Sequence, residues 1–294
     1  MRARLQSLTQ INLDDLAAAL GLQDQPRAAQ LARALLRHPA REFAQQMLEF
    51  DSVTGARGLP EGARHAERLL AREVRVFGRD SLPPGGFLAL SNHPGLTDTL
   101  ALFSAIDRQD VMTIALERPF LTNLVNVSKQ LFFLPEAASE RVALVREVAR
   151  ALRNGRAVLT FPAGRIEPDP DVFPGAVESL QTWTASAEVF VRLAPGTPVI
   201  PVCVRGVTWL AAARNPLTRL RRSPADRQLL ASALQLLWQL LFKTRPVTVN
   251  VQIGNPIFAE GAGRFDAEAL HRAVLDSMQR LIRNPPAGDW QAAL

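Results

Sequence analysis

The chain is predicted to adopt a mixed α/β fold, with a mainly parallel sheet flanked by helices and preceded by a small N-terminal helical region. Three observations predict it. Short apolar runs of buried-strand type recur from Glu73 onward, helical patterns separate most of them, and the first ~70 residues show helical periodicity alone. The boundary falls between a helical region, residues 1–72, and an α/β domain, residues 73–294.

In the helical region Asn12 is the candidate N-cap. Asp14 and Asp15 follow in the first turn, and Leu13, Leu16, Ala17 and Leu20 share a face. Gly21, Pro26, Pro39 and residues 58–62 are expected to break the region into three or four short helices. His38 and His65 lie here outside any chemical motif and read as surface or capping residues.

Beyond Glu73 the texture changes. Residues 74–77 alternate like a strand, residues 87–90 form a short apolar run, and Pro83, Pro84, Gly85 and Gly86 turn the chain between them. Further strands are expected at residues 111–115, 131–134, 157–161, 198–204 and 247–253. The clearest helix covers residues 139–153, with Val142, Val145, Ala149 and Leu152 on one face and Asn154-Gly155 as its stop. Asp266 should cap a final helix running to about Arg283.

Composition narrows the function classes. With 294 residues, 47% hydrophobic, the chain can bury a substantial core. Cys203 is its only cysteine, which excludes an intrachain disulfide and fits a reducing compartment. Residues 1–10 lack the apolar core of a signal peptide, so a cytoplasmic location is expected, with peripheral contact on the inner face of the membrane as a further option. No uncharged apolar run reaches the ~20 residues of a membrane-spanning helix. The net charge of +6 rests almost wholly on arginine, because Lys129 and Lys243 are the only lysines. Such a balance reflects either genomic base composition or an anionic partner. Tyrosine is absent and no basic segment interleaves with aromatics, which argues against nucleic acid.

The segment from Leu90 to Asp98 carries the chemistry. A buried strand ends at Ser91, a tight Pro94-Gly95 turn follows, and a helix begins near Thr97. Such turns place side chains at the mouth of an α/β sheet. His93 falls in the turn and Asp98 in the first helical turn, where its carboxylate can fold back to the imidazole. That pairing would fix the ring tautomer and leave the other nitrogen free to take a proton from a hydroxyl. The alternative is that His93 caps the helix and Asp98 only favours its positive end. Spacing alone leaves both open.

The His93-x4-Asp98 pattern, preceded by Asn92, resembles the first motif of the phospholipid/glycerol acyltransferase superfamily. Two further blocks stand in that family's order. Residues 159–164, Leu-Thr-Phe-Pro-Ala-Gly, are similar to its block ending in Phe-Pro-Glu-Gly-Thr-Arg, and residues 197–202 are similar to its Val-Ile-Pro-Val strand. The resemblance covers residues 74–257. It implies acyl transfer from acyl-CoA or acyl carrier protein to a lysophospholipid or related hydroxyl, with His93 as base, Asp98 as its partner, and no cofactor or metal. It further implies substrate binding by Asn92, Phe161, Pro162 and Gly164, while Pro201 matches a structural position. The sequence also departs from the pattern. Ala163 stands where the family has glutamate, Arg165 and Ile166 stand where it has threonine and arginine, and the block at residues 131–136 carries no arginine. Arg165, oriented by Glu167, is the candidate substitute guanidinium for substrate binding; a solvated loop pair is the alternative. These departures keep two other readings in play: a lipid-binding or transfer protein on the same fold, and acyl transfer to a non-phosphate acceptor such as an aminoacyl lipid.

Other chemistries lack their signatures. No Gly-x-Ser-x-Gly elbow, P-loop, dinucleotide fingerprint or metal-ligand spacing is present. Cys203 reads as a small buried hydrophobe and His271 as a helix-capping or surface residue. Gln228, Ser232, Gln235 and Gln239 form one polar stripe on an otherwise apolar helix, residues 228–242. A helix this apolar is either buried in protein or laid in a membrane interface. Arg214, Arg219, Arg221, Arg222, Arg227 and Lys243 surround it, so residues 214–243 are the candidate contact for an anionic membrane surface. Leu96, Leu100, Phe103, Leu121 and Phe132 are candidate lining for an acyl groove, or ordinary core.

Overall fold

Three helices open the chain: α1 (Arg2–Ala19), α2 (Pro26–Arg57) and α3 (Leu59–Leu70). The computed structural model describes residues 2–135, 137–261 and 264–293, with the side chains of Leu96, Ala138, Glu260, Arg264 and Phe265 outside the description. Two expected punctuation marks are overruled. Asn12 is buried inside α1, where its Nδ2 donates to Ala40 O at 3.0 Å instead of capping a helix. Pro39 lies within α2 and does not break it. An internal proline costs about 3 kcal/mol. The flanking turns offset this by packing Leu36 and Ala40 against Leu13, Leu16 and Ala19 of α1.

The α/β part follows in the order β1 (Glu73–Phe77), β2 (Phe87–Ser91), α4 (Leu96–Ile106), β3 (Met112–Leu116), α5 (Pro119–Thr122), β4 (Leu131–Leu134), α6 (Ala138–Arg153) and β5 (Ala157–Thr160). It continues with α7 (Ser186–Leu193), β6 (Val199–Arg205), α8 (Leu210–Ala213), α9 (Pro224–Phe242) and β7 (Thr248–Ile253). A short pair, β8 (Glu260–Gly261) and β9 (Arg264–Phe265), precedes α10 (Ala267–Arg283) and β10 (Gln291–Ala292). Asp266 caps α10 as expected, its Oδ1 accepting from Ala269 N–H at 3.0 Å. On α6 the buried residues are Leu144, Val148, Ala149, Ala151 and Leu152, while Val142 is exposed, off the expected face.

The eight strands order as β10-β1-β7-β6-β2-β5-β3-β4. From β6 to β4 every neighbour pair is parallel; β7 is antiparallel to β6 and parallel to β1, and β10 closes the edge antiparallel to β1. Strands β2, β5 and β6 are buried at every residue, as parallel strands covered on both faces must be. Alternation along β2 divides the core in two. Phe87 and Ala89 join a cluster with α3, α4 and the N-terminal helices, whereas Leu88 and Leu90 join one with α6, α7 and α10. The N-terminal helices therefore share one core with the sheet. Because β2, β3, β5 and β6 are parallel, the loops that follow them gather at one edge, where such sheets bind ligands.

Candidate active site

The loop after β2 makes the strand-to-helix turn that the sequence announced. His93 Nδ1 lies 2.8 Å from Asp98 Oδ2, in the first turn of α4. The same oxygen accepts from Gly95 N–H at 2.8 Å, and Oδ1 accepts from the Thr99 hydroxyl at 2.9 Å. Asp98 is fully buried, and these bonds together with the helix N-terminus balance its charge. His93 keeps 27% of its side-chain surface exposed, and Nε2 makes no hydrogen bond among the described residues. With Asp98 accepting at Nδ1, the neutral ring carries its proton there and presents a lone pair at Nε2. Burial, the largest single influence, works against protonation of His93, but the charge and hydrogen bond of Asp98 together with the Glu167 carboxylate outweigh it, and the pKa rises above the ordinary histidine value. Arg118 opposes that rise.

Phe161, at the end of β5, stacks on the imidazole with ring centroids 4.5 Å apart. Pro162 is buried, and its carbonyl accepts from Thr184 N–H at 3.2 Å. Gly164 ends a tight turn, its N–H donating to Phe161 O at 3.0 Å, and its φ of 62° is a left-handed conformation that glycine adopts without strain. Arg165 is exposed beside it. Glu167 is not its partner: that side chain is 1% exposed and turns inward, so the solvated-pair reading does not hold. Glu167 Oε2 accepts from His93 N–H at 3.1 Å, and Glu167 N–H returns a bond to His93 O at 2.8 Å. Its Oε1 accepts from Trp183 Nε1 at 2.8 Å and from the Ser179 hydroxyl at 3.0 Å.

Asn92 serves the frame. It is buried, and its amide exchanges two bonds of 2.8 Å with the backbone of Val204, tying the end of β2 to β6. Both ends of that amide are thereby occupied. Asp169 ties the loop after β5 to the loop after β6, accepting from Gly206 N–H at 3.0 Å and Thr208 N–H at 2.8 Å. Pro201 lies within β6, its carbonyl accepting from Gly254 N–H at 2.8 Å. Burial pushes the Cys203 thiol up to about 12, in keeping with a packed hydrophobe.

Of the expected groove residues, Leu100, Phe103 and Phe132 are core, Leu121 is half-buried, and the Leu96 side chain lies outside the described residues. A cavity lined by Ser52, Arg57, His65 and Arg68 is formed by α2 and α3 and shares no residue with the His93 turn. Two contributors escaped sequence reasoning. Arg118 follows β3 at the same sheet edge, a placement visible only once the strand order is known. Gln228 of α9 donates to Pro94 O at 3.0 Å and Glu167 O at 2.7 Å, bracing both loops at once.

Fold and site together define an α/β domain with a carboxylate-poised imidazole at the carboxyl ends of parallel strands. Residues 73–205, from β1 through β6, match the family model described as Acyltransferase. Over those residues, a little under half of the chain, the protein is similar to the acyltransferases that the model describes. A solved structure, the 1-acyl-sn-glycerophosphate (LPA) acyltransferase PlsC from Thermotoga maritima, aligns over 95% of this chain and 98% of its own at 17% identity, with a TM-score of 0.43. No curated protein matches the sequence.

Proposed function

We propose that this acyltransferase moves a fatty acyl group from acyl-CoA or acyl carrier protein to the hydroxyl of a lysophospholipid or related glycerolipid. The observation that carries the proposal is the 2.8 Å His93–Asp98 pair with an accessible ring. His93 Nε2 takes the proton of the acceptor hydroxyl as that oxygen attacks the thioester carbonyl carbon. The tetrahedral intermediate collapses with cleavage of the carbon–sulfur bond, and the imidazolium returns the proton to the departing thiolate. Asp98 holds the ring in its tautomer and offsets the positive charge that forms on it. Phe161 fixes the plane of the ring, and the exposed guanidinium groups of Arg118 and Arg165 supply positive charge toward an anionic donor or acceptor.

His93→Ala should lower turnover by about 10²–10⁴ with the fold retained, as loss of a general base does. Mass spectrometry of products from a lysolipid panel and one acyl-CoA measures this and names the acceptor. Unchanged turnover in the variant would remove His93 from the mechanism. Substrate binding without thioester consumption in the native protein would favour a lipid-transfer role, and preference for an aminoacyl lipid would favour a non-phosphate acceptor.

The acceptor reaches the site from an anionic membrane surface against which the protein docks. Helix α9 supports this by turning its glutamine stripe inward and part of its apolar surface outward. Gln228, Gln235 and Gln239 are buried, while Leu229, Trp238, Leu241 and Phe242 are exposed. The glutamines donate inward to backbone carbonyls, Gln235 to Val207 and Gln239 to Leu70. Leu230, Ala231, Ala233 and Leu240 pack inward beside the glutamines, so the outward apolar surface is the remaining strip, with Leu217 and Leu220 exposed just before it. Arg214, Arg219, Arg222 and Arg227 are exposed nearby, whereas Arg221 pairs with Asp226 and Lys243 with Glu42. Among the described residues no helix is long and apolar enough to cross a membrane.

A further inference from the structure

We propose that Glu167 is a positioning residue for His93: a buried carboxylate that holds the main chain of the catalytic turn and places a second negative charge behind the imidazole. This rests on His93 acting as the base.

The geometry is reciprocal. The carboxylate accepts the His93 N–H at 3.1 Å, and the Glu167 N–H is given to the His93 carbonyl at 2.8 Å, so the loop after β5 is stitched to the turn after β2 on both sides of one residue. The other carboxylate oxygen is held by the indole N–H of Trp183 at 2.8 Å and the Ser179 hydroxyl at 3.0 Å. Gln228 closes the arrangement from α9 through the Glu167 carbonyl at 2.7 Å. A carboxylate 1% exposed is costly to keep charged, so its retention beside a base calls for an explanation beyond packing. Burial pushes its pKa above the ordinary carboxylate range, and the bonds from Trp183, Ser179 and His93, with the His93 charge, pull against that. The influence runs both ways, since Glu167 also favours the protonated form of His93.

The position is informative too. Glu167 lies four positions after Ala163 of the Phe161-Pro162-Ala163-Gly164 block, on the same loop. In this chain a carboxylate returns to the catalytic turn from the far side of Gly164, pointing into protein rather than toward substrate.

The test is the pH profile of kcat/KM for Glu167→Gln, with His93→Ala in the same assay. Gln keeps the size but removes the charge and leaves one N–H facing the new amide. We expect kcat to fall roughly ten- to a hundredfold, as for a misplaced catalytic group. KM for the thioester should hold, and the acid limb should move to lower pH, because a neutral neighbour no longer supports the imidazolium. A group that merely packs would lower the amount of folded enzyme without moving the limb. If Glu167→Gln does not fold, Trp183→Phe takes its place: it deletes one donor to the carboxylate, and kcat should fall with KM held. Native kcat and an unmoved acid limb in the folded variant, or native kcat in Trp183→Phe where that stands in, with His93→Ala inactive, would overturn the role of Glu167 and leave the base standing. Activity in His93→Ala would overturn the base itself.

Discussion

At the scale of single residues the site is an exercise in holding one imidazole. Asp98 fixes its tautomer from α4, while Phe161 fixes its plane and Glu167 its backbone, both from the loop after β5. The pH dependence follows from the signs. Burial lowers the His93 pKa, Asp98 and Glu167 together raise it by more, and the net value is above the ordinary 6.5. In the proposed mechanism the unprotonated ring is the active form, so the acid limb of kcat/KM should lie above that of an isolated histidine. Asp98→Asn should move that limb to lower pH while turnover falls by about 10²–10⁴, since the amide can stabilise the wrong tautomer. An Asp98→Asn enzyme with native turnover and limb would mean the pair is structural. Of these groups, His93 and Asp98 were legible because both sit within one short strand–turn–helix, where spacing alone limits the geometry. Glu167 was in view but assigned to Arg165, its neighbour in sequence; its true partners are 74 and 16 positions away, and only the strand order brings them together.

Among the elements, strands were easier to read than helices. The parallel strands are covered on both faces, so each appears as an uninterrupted apolar run, and all seven expected strands are present within a residue or so. Helix punctuation misled where tertiary packing competed with propensity, at Asn12 and Pro39. The packing of α9 was half legible: the glutamine stripe was plain, but that it faces protein depended on backbone carbonyls of distant loops. A second element-scale feature joins α3 to α4, the helix whose first turn holds Asp98. Buried Glu67 of α3 accepts a hydrogen bond from the Ser104 hydroxyl of α4, and burial pushes its carboxyl up to about 7 against the pull of Ser104, Arg64 and Arg68. The folded chain thus holds this proton more tightly than the unfolded chain, whose carboxyl titrates near 4.5. Its contribution to stability is full at acid pH and declines as pH rises from about 4.5 through about 7. Glu67→Gln keeps an acceptor for Ser104 and removes the ionisation. It should stabilise the protein at pH 8 by about 3 kcal/mol, an order-of-magnitude figure, with the two proteins converging at lower pH. Thermal unfolding of both across that range measures the difference, and an equal gap at all pH values would exclude a titrating Glu67.

At the scale of the whole molecule the question is how a buried-sheet enzyme meets a lipid. Helix α9 touches the catalytic turn through Gln228 at one end and exposes Trp238, Leu241 and Phe242 toward the other. Trp238 packs on Phe242 at 4.2 Å and on Trp209 at 5.7 Å, which forms an aromatic ridge rather than scattered exposed groups. A ridge of this kind beside exposed arginines suits the headgroup boundary, where aromatic rings and guanidinium groups are both satisfied. Each basic residue contributes about 1 kcal/mol near an anionic leaflet, so the exposed Arg214, Arg219, Arg222 and Arg227 favour it by a factor on the order of 10³ before any apolar burial. Replacing Leu241 and Phe242 together by serine should change stability little, because both side chains are more than half exposed at 58% and 57%. Cosedimentation with phosphatidylglycerol vesicles should fall at least tenfold, and turnover of a vesicle-borne acceptor should fall with it, while a short-chain soluble acceptor is still used at the native rate. Charge reversal at Arg219 and Arg222 should weaken binding to the same vesicles in proportion to their anionic content and leave binding to neutral vesicles unchanged. If the serine variant still sediments with vesicles as the native protein does, the outward face of α9 is covered by something other than lipid, and the acceptor arrives by another route.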